Sequence, residues 1–434
     1  MREDRRGAEA AAVRLAGGMP LRNAVVVADP RAWLALDEAA RVVFPHHLED
    51  LPQWEQAAQL PADLSLLDEP RLALALCHRD GWTREAALGP AARYPDLLPL
   101  VVLRCGDWVT PVRERARKVL REALDPGAAV ALAPLILLLG RRHQGAFATE
   151  LLAEVLRGAP PERLACLYPH ADRVVRRFAY RLAIEQRLLS PGRLARAAAG
   201  DFDTVVQNLC ADAALAALAA VADGDVDDVL RPLLTARNSR VRSAGVTALR
   251  RAGRAERAVE FLADRAGLVR ACARYVVRQH GGDPLSWYRE RCAERGGHAL
   301  PPGAVAGLAE CGDRGDAEVL WSLVGHPAAG VRARAVGGLR VLDAVDVRRL
   351  FPLLDDPAPG VVREVTAAVL PSAGLVPEEW LVERLGAGWP RPVRIAAFRL
   401  LAEQGGAAEQ RALIALRNDP DEELRRRATR PARR

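Results

Sequence analysis

A chain of 434 residues with 50% hydrophobic and 27% charged residues has the composition of a folded, core-forming protein, which excludes a disordered one. Aromatics make up 5%, so the core is built from Ala, Leu and Val, which suits closely spaced helices better than a β-sandwich. The net charge of +7 looks basic, but residues 425–434 hold six Arg and no acid, which leaves +1 for the rest; a groove-wide nucleic-acid footprint would show an excess across the body.

Seven cysteines (77, 105, 166, 210, 272, 292 and 311) are scattered and never spaced C-x-x-C. In a chain this long they read as small buried hydrophobes in a reducing compartment. The first residues mix charges and no clean apolar stretch follows, so no secretory signal is expected. The most apolar run, 128–139, is too short to span a bilayer and holds Pro134. These features predict a cytoplasmic protein that is not integral to a membrane.

In chain order, residues 1–67 follow no repeat. Asp29-Pro30 is a helix start, apolar spacing predicts a helix over 32–43, and Pro45, Pro52 and Pro61 then break the chain. The stretch reads as an N-terminal helical cap over the open face of a first repeat, which a solenoid needs, or else as a separate appendage. From residue 68 onward a phrase recurs. Val-Arg-x-x-Ala begins at Val112, Val175, Val269, Val331 and Val393, with degenerate copies at Thr83, Val206, Val241, Val362 and Leu424. Seven steps between these starts span 28 to 35 residues, and the other two are 62 and 63. Each long step therefore hides a faded copy, near 145–155 and 302–311.

The phrase is helical. With the Val as position 0, the Ala at +4 and apolar residues at +7 and +8 (Ala248 and Leu249, Leu400 and Leu401) share one face. An apolar segment and a turn precede each phrase, as in 344–354 before Asp355-Asp356-Pro357 and 317–324 before Gly325-His326-Pro327. Each unit is thus a helix A, a turn rich in Asp and Pro, and a helix B opened by the phrase. The predicted architecture is all-α: a superhelical α-solenoid of about twelve helix pairs over 68–434, each of about 31 residues, after the cap over 1–67. Val331 and Ala335 are expected in the seam between helices, and Glu310 on the surface.

Helix pairs with Asp or Pro in the A–B turn and Val-Arg-x-x-Ala on helix B resemble HEAT repeats. Their length resembles the short bacterial form that is also named after phycobilin lyases. The resemblance covers residues 68–434. It implies a fold and says little about a task, because this superfold hosts many.

The most persistent polar feature is the Arg at +1: Arg84, Arg113, Arg176, Arg242, Arg270, Arg332, Arg363, Arg394 and Arg425. In register these form a column with two readings. The resemblance implies a ladder in which each Arg bonds Asp or carbonyl groups of the adjacent A–B turn, a role suited to its planar fork. The other reading is a line of cations on the concave face that contacts an acidic partner or nucleic acid. Trp82 and Trp108 precede helix B in consecutive repeats, and read either as apolar plugs between turns or as stacking surfaces for a partner.

Catalytic signals are lacking. His46-His47-x-x-Asp50 reads as a polar loop after Pro45, since no other His or Cys falls at ligand spacing. Cys105-Gly-Asp107 and Cys311-Gly-Asp313 look like nucleophile motifs but sit at helix ends, where Gly supplies a C-cap and Asp an N-cap. No Gly-rich phosphate loop occurs. No metal or cofactor is expected. The expected function is a non-catalytic scaffold that holds a protein or peptide on its concave face. One alternative is nucleic-acid binding through the Arg column and the basic tail, with an architecture similar to the HEAT-like alkylpurine DNA glycosylases. Another is a lyase-type bilin chaperone, suggested by the name of the repeat family.

Overall fold

The computed structural model describes residues 2–42, 63–142, 144–218, 226–293 and 300–429. Among them no strand occurs. The chain forms two compact units, Met1–Ser190 with Asp201–Cys210 and Pro191–Gly200 with Ala211–Arg434. The division falls within the repeats. The first unit holds α1 (Arg2–Ala16), α2 (Leu21–Ala24), α3 (Pro30–Val42), α4 (Glu69–Leu76), α5 (Gly81–Ala91), α6 (Leu98–Arg104), α7 (Thr110–Ala123), α8 (Pro126–Leu139), α9 (Ala146–Arg157), α10 (Pro161–Ala165) and α11 (Arg173–Glu185). Then follow α12 (Pro191–Gly200) and α13 (Thr204–Ala216), the latter divided between the units. The second unit continues with α14 (Val226–Thr235), α15 (Ser239–Arg251), α16 (Gly267–Gln279), α17 (Pro284–Ala293), α18 (Pro302–Cys311), α19 (Ala317–Leu323) and α20 (Ala329–Val341). It ends with α21 (Val347–Leu350), α22 (Pro359–Val369), α23 (Glu378–Glu383), α24 (Arg391–Gln404), α25 (Gly406–Leu416) and α26 (Glu422–Thr429).

From α4 onward these helices alternate as A and B elements of an α-solenoid, in which B helices of successive repeats pack side by side, for example α15 on α16 and α20 on α22. The A elements are shorter than their B helices in most repeats, though α8 and α25 are longer than α9 and α26. In one repeat the A element is the 3-10 helix Ala255–Phe261, and in another α21 runs into the 3-10 helix Phe351–Asp355, where Pro352 withholds an amide. Helix α20 shows why the B helices form. Val331, Ala335 and Leu339 are fully buried on one face, while Arg334 and Arg340 face water. Gly338 joins the buried face because a Cβ there would lie 2.9 Å from Leu320 Cδ1 and 3.0 Å from Ala309 Cβ.

The two faded copies are helices, α9 and α18. The Ala304 amide donates to the Pro301 carbonyl as the Val331 amide donates to Ala328, so Ala304 occupies position 0 of its repeat. The apolar run at 128–139 lies in α8, which packs against α3, α6, α9, α10 and α11. A helix surrounded on all sides is apolar on all sides. No helix among the described residues is long and apolar enough to cross a membrane.

The N-terminal segment contains a helix the sequence reading did not expect. Helix α1 buries Ala8, Ala11, Ala12 and Leu15 at helical spacing. It packs on α3 and α4, and α2 also packs on α4, where the Leu21 amide donates to Glu69 Oε2 at 3.0 Å. Helix α3 buries Trp33 and reaches α6 and α8. The segment thus lies along the A helices of three repeats, a longer contact than the end of the first repeat alone offers.

Candidate functional site

The Arg column is a ladder, and its geometry repeats. Arg332 donates from Nε and Nη2 to both oxygens of Asp356, each at 2.8 Å, and from Nη1 to the carbonyls of His326 and Pro327, each at 2.9 Å. The guanidinium thus closes its own A–B turn with one nitrogen and clamps the next turn with the other two. Asp356 completes the joint by accepting the Ala358 amide at 2.8 Å. Arg84 with Asp107, Arg176 with Asp201 and Arg242 with Asp264 repeat this bidentate arrangement at 2.8–3.1 Å. Arg394 pairs with Asp419 through Nη2, while its Nε donates to the Leu385 carbonyl. All of these acids lie five residues before position 0 of the next repeat, and all cap their own turn through an amide two residues on.

The rungs obey a pairing rule. Where position +1 is Thr149, Gln207, Val305 or Val362, the next turn carries His170, Ala236, His326 or Gly388 in place of Asp. His170 and His326 keep the capping half of the role, each accepting a turn amide at 3.0 Å on Nδ1. At these four turns Arg and Asp are missing together, and either alone would leave a charge half-buried and unmatched; Arg113 and Arg270, for which the sequence has His143 and Ala299 at the corresponding place, are the exceptions.

Three positions depart from the sequence reading. The copy placed at Val362 is one residue out of register. The Val361 amide donates to Ala358 as Val331 does to Ala328, and Val361 and Val365 are fully buried. Val362 therefore stands in the Arg position, and Arg363 is exposed. Arg270 bonds Glu310, 40 residues on, through Nε and Nη2, and Arg274 donates to the same carboxylate at 2.7 Å. Glu310 is therefore a rung acid and not a free surface residue. Arg113 keeps its own-turn contact, donating to the Asp107 carbonyl at 2.8 Å, and its Nη2 turns to Thr110.

Burial alone would raise the carboxyls of Asp107, Asp264, Asp356 and Asp419. The guanidinium and amide donors outweigh it and hold all four below the ordinary carboxylate range. Beside the ladder, the Arg177 guanidinium holds Asp203 at about 2. Folded-state values depressed in this way contribute stability that is complete above the unfolded value near 4 and is lost as pH falls through the folded value. Urea midpoints should therefore be flat from about pH 5 upward and fall steadily between about pH 4 and 2. A midpoint that holds down to pH 2 would mean the rungs add no net stability.

The N-terminal segment is tied to the first rung. Arg104 on α6 is buried, bonds Asp107 at 3.1 Å and pairs with Asp37 on α3, which also accepts from Arg41 at 3.2 Å. These residues border a cavity of about 220 Å³ whose rim includes Trp108 and Gln144. Asp107 is thus the rung acid of its turn, not the helix N-cap read from Cys105-Gly-Asp107. Asp313, in the similar Cys311 motif, does cap the 3-10 helix Arg314–Asp316.

Trp82 and Trp108 are not plugs. Their side chains are 82% and 75% exposed, and Phe202, at the turn position equivalent to Trp108, is 93% exposed. The Arg84 guanidinium carbon lies 5.9 Å from the Trp108 ring centre, at the outer edge of cation–π range. No spacing signal marks these aromatics as exposed, since turns also bury large side chains. Among the described residues no group of three His, Cys, Asp or Glu is placed to hold a metal. His46, His47 and Asp50 lie outside the described residues. Burial pushes the Cys105, Cys210 and Cys292 thiols up to about 12, which makes them poor nucleophiles.

Stacked A–B helix pairs, joined turn to turn by Arg–carboxylate rungs, define a HEAT-like α-solenoid fold. Neither a protein-family model nor a curated protein matches this sequence. Solved structures that it resembles include Kap121p, at 14% identity and a TM-score of 0.31 over 92% of this chain and 46% of that one. Kap121p bound to Nup53p matches at 12% identity and a TM-score of 0.31 over 82% of this chain and 47% of that one. The karyopherin Kap121p bound to the extreme C-terminus of the protein phosphatase Cdc14p matches at 12% and 0.28, over 92% and 46%. The chain spans just under half the length of each of these structures.

Proposed function

We propose that this protein is a non-catalytic scaffold that holds a protein partner. The observation that carries this reading is the exposure of Trp82, in the first turn of α5, and of Trp108 and Phe202 on A–B turns of the first unit. Large aromatics left in water cost solvation and supply the anchor residues of protein interfaces. The ladder supports the reading from the other side. Its arginines spend their donors inside the fold, so they serve as structure before they serve a ligand.

The test compares the wild-type chain with a Trp82→Ser, Trp108→Ser, Phe202→Ser variant, each used to capture partners from the native host with and without nuclease. Because all three side chains are exposed, the variant should melt within about 0.5 kcal/mol of wild type. It should lose a defined set of proteins that wild type retains after nuclease treatment. Capture of the same proteins by both forms, or their complete loss on nuclease treatment, would reject the proposal.

A further inference from the structure

The near-neutral total charge conceals a division by face in the second unit. The B helices α15, α16, α18 and α20 carry ten arginines and one carboxylate, Glu310, which Arg270 and Arg274 already occupy. The A elements of the same stretch (α14, Ala255–Phe261, α17 and α19) carry six carboxylates against four arginines. The B helices of the first unit are mixed: α7 and α11 also carry more cations than acids, but with Glu114, Glu122 and Glu185 among them, and α9 carries Glu150 and Glu154 against one arginine.

Of the ten arginines, Arg242 and Arg332 are rungs. Arg240, Arg250, Arg251, Arg278, Arg334 and Arg340 are exposed and pair with no carboxylate among the described residues. Arg250, Arg278 and Arg340 share position +9, in the last turn of α15, α16 and α20. Arg250 donates to the neutral Gln279 of the adjacent helix at 3.4 Å. Asp283 lies near Arg278, but its oxygens are held by Ser286 and the Leu285 amide. Small residues such as Thr247 and Ala271 are exposed on these helices, beside the larger Leu268, Tyr275 and Val341. The cations stand along one side, in the last helical turns.

We infer that the B-helix face of residues 239–341 receives an extended, acidic segment of a partner protein, with carboxylates taken by Arg250, Arg278 and Arg340. Guanidinium forks pair with carboxylates in bidentate fashion, and none of these three is in an ion pair with a carboxylate among the described residues. Neighbouring helix axes lie roughly 8–10 Å apart, and a chain in the extended polyproline II conformation advances about 3.1 Å per residue with three residues per turn, so every third side chain faces the surface and meets the next helix. Helix α18 offers no arginine, so the complementary pattern has acids at about i, i+3 and i+9. A single nucleic-acid strand fits less well. Such sites stack successive bases on aromatics, and Tyr275 is the one large aromatic exposed on these helices among the described residues. The acids of the A elements would also repel a polyanion that extended past the face.

The experiment measures binding of a fluorescent Gly/Ser peptide with Glu at positions 1, 4 and 10 to the full chain at physiological salt. Its Gln counterpart, a single-stranded oligo-dT and a duplex serve as competing probes. The Glu peptide should bind at least tenfold more tightly than the Gln peptide, and an Arg250→Glu, Arg278→Glu, Arg340→Glu variant should lose at least tenfold. Because last-turn cations also stabilise helix ends, the corresponding Arg→Gln variant, checked by its melting curve, must show a loss in the same direction. Equal binding of Glu and Gln peptides, no binding by wild type, or an unchanged affinity in both folded variants would overturn the inference. Tighter binding of either oligonucleotide, lost in the same variants, would overturn it in favour of nucleic acid.

Discussion

Asp107→Ala is expected to destabilise the first unit by about 3–5 kcal/mol, the cost typical of removing one partner from a buried ion pair. Asp107 and Arg84 are both fully buried at the side chain, and Arg104 is 2% exposed. Without the carboxylate, Arg84 is left in the protein interior with no counter-charge, Arg104 keeps only Asp37, the Val109 amide loses its acceptor, and Arg41 on α3 loses one of its two acids. Asp107→Asn keeps one acceptor oxygen but loses the charge and sets an NH2 donor against guanidinium donors, so it should recover only part of the loss. Asp228→Ala is the control. It removes an exposed pair with Arg196 in the second unit and should stay within about 0.5 kcal/mol. Urea titrations followed by helical circular dichroism would rank the three. If Asp107→Ala matched Asp228→Ala, the rung would be a packing accident and not a structural joint.

Ala335→Arg is the second large effect. Ala335 is fully buried at +4 of α20, on the face whose close approach to Ala309 and Leu320 is set by Gly338 three residues on. An extra methylene or two in such a seam costs about 1–3 kcal/mol. A guanidinium adds several more atoms and a charge that has no partner there. The cost should exceed that range and should lower the melting temperature of the second unit sharply. Val341→Arg, six residues along the same helix at 59% exposure, should stay within about 0.5 kcal/mol. If the two variants melt alike, the register of the repeat is wrong. Glu310→Gln, read from sequence as harmless, should now cost about 1–3 kcal/mol, since Glu310 is the acceptor for two arginines.

The sequence by itself determined the helical class, the repeat length and, outside α22, the buried face of the B helices that carry the phrase. These depend on spacings of three, four and seven residues within one helix, which any window of the chain displays. It also exposed the Arg at +1, because one side chain recurs at a fixed place beside a fixed apolar residue. The partner in each rung was less legible. Arg332 and Asp356 are 24 residues apart, and Arg270 and Glu310 are 40 apart, so the bond appears only when one repeat has been laid on the next. Tertiary packing decided the register at Val361. Val-Val-Arg reads equally well from either valine, and only burial of Val361 and Val365 against neighbouring helices selects the first. It decided that Trp82 and Trp108 face water, since exposure of a turn residue depends on what the adjacent turns leave uncovered. It also decided the sorting of charge between A and B faces. A near-neutral composition has no direction, and an electrostatic surface exists only once the helices have fixed which side of each one the solvent sees.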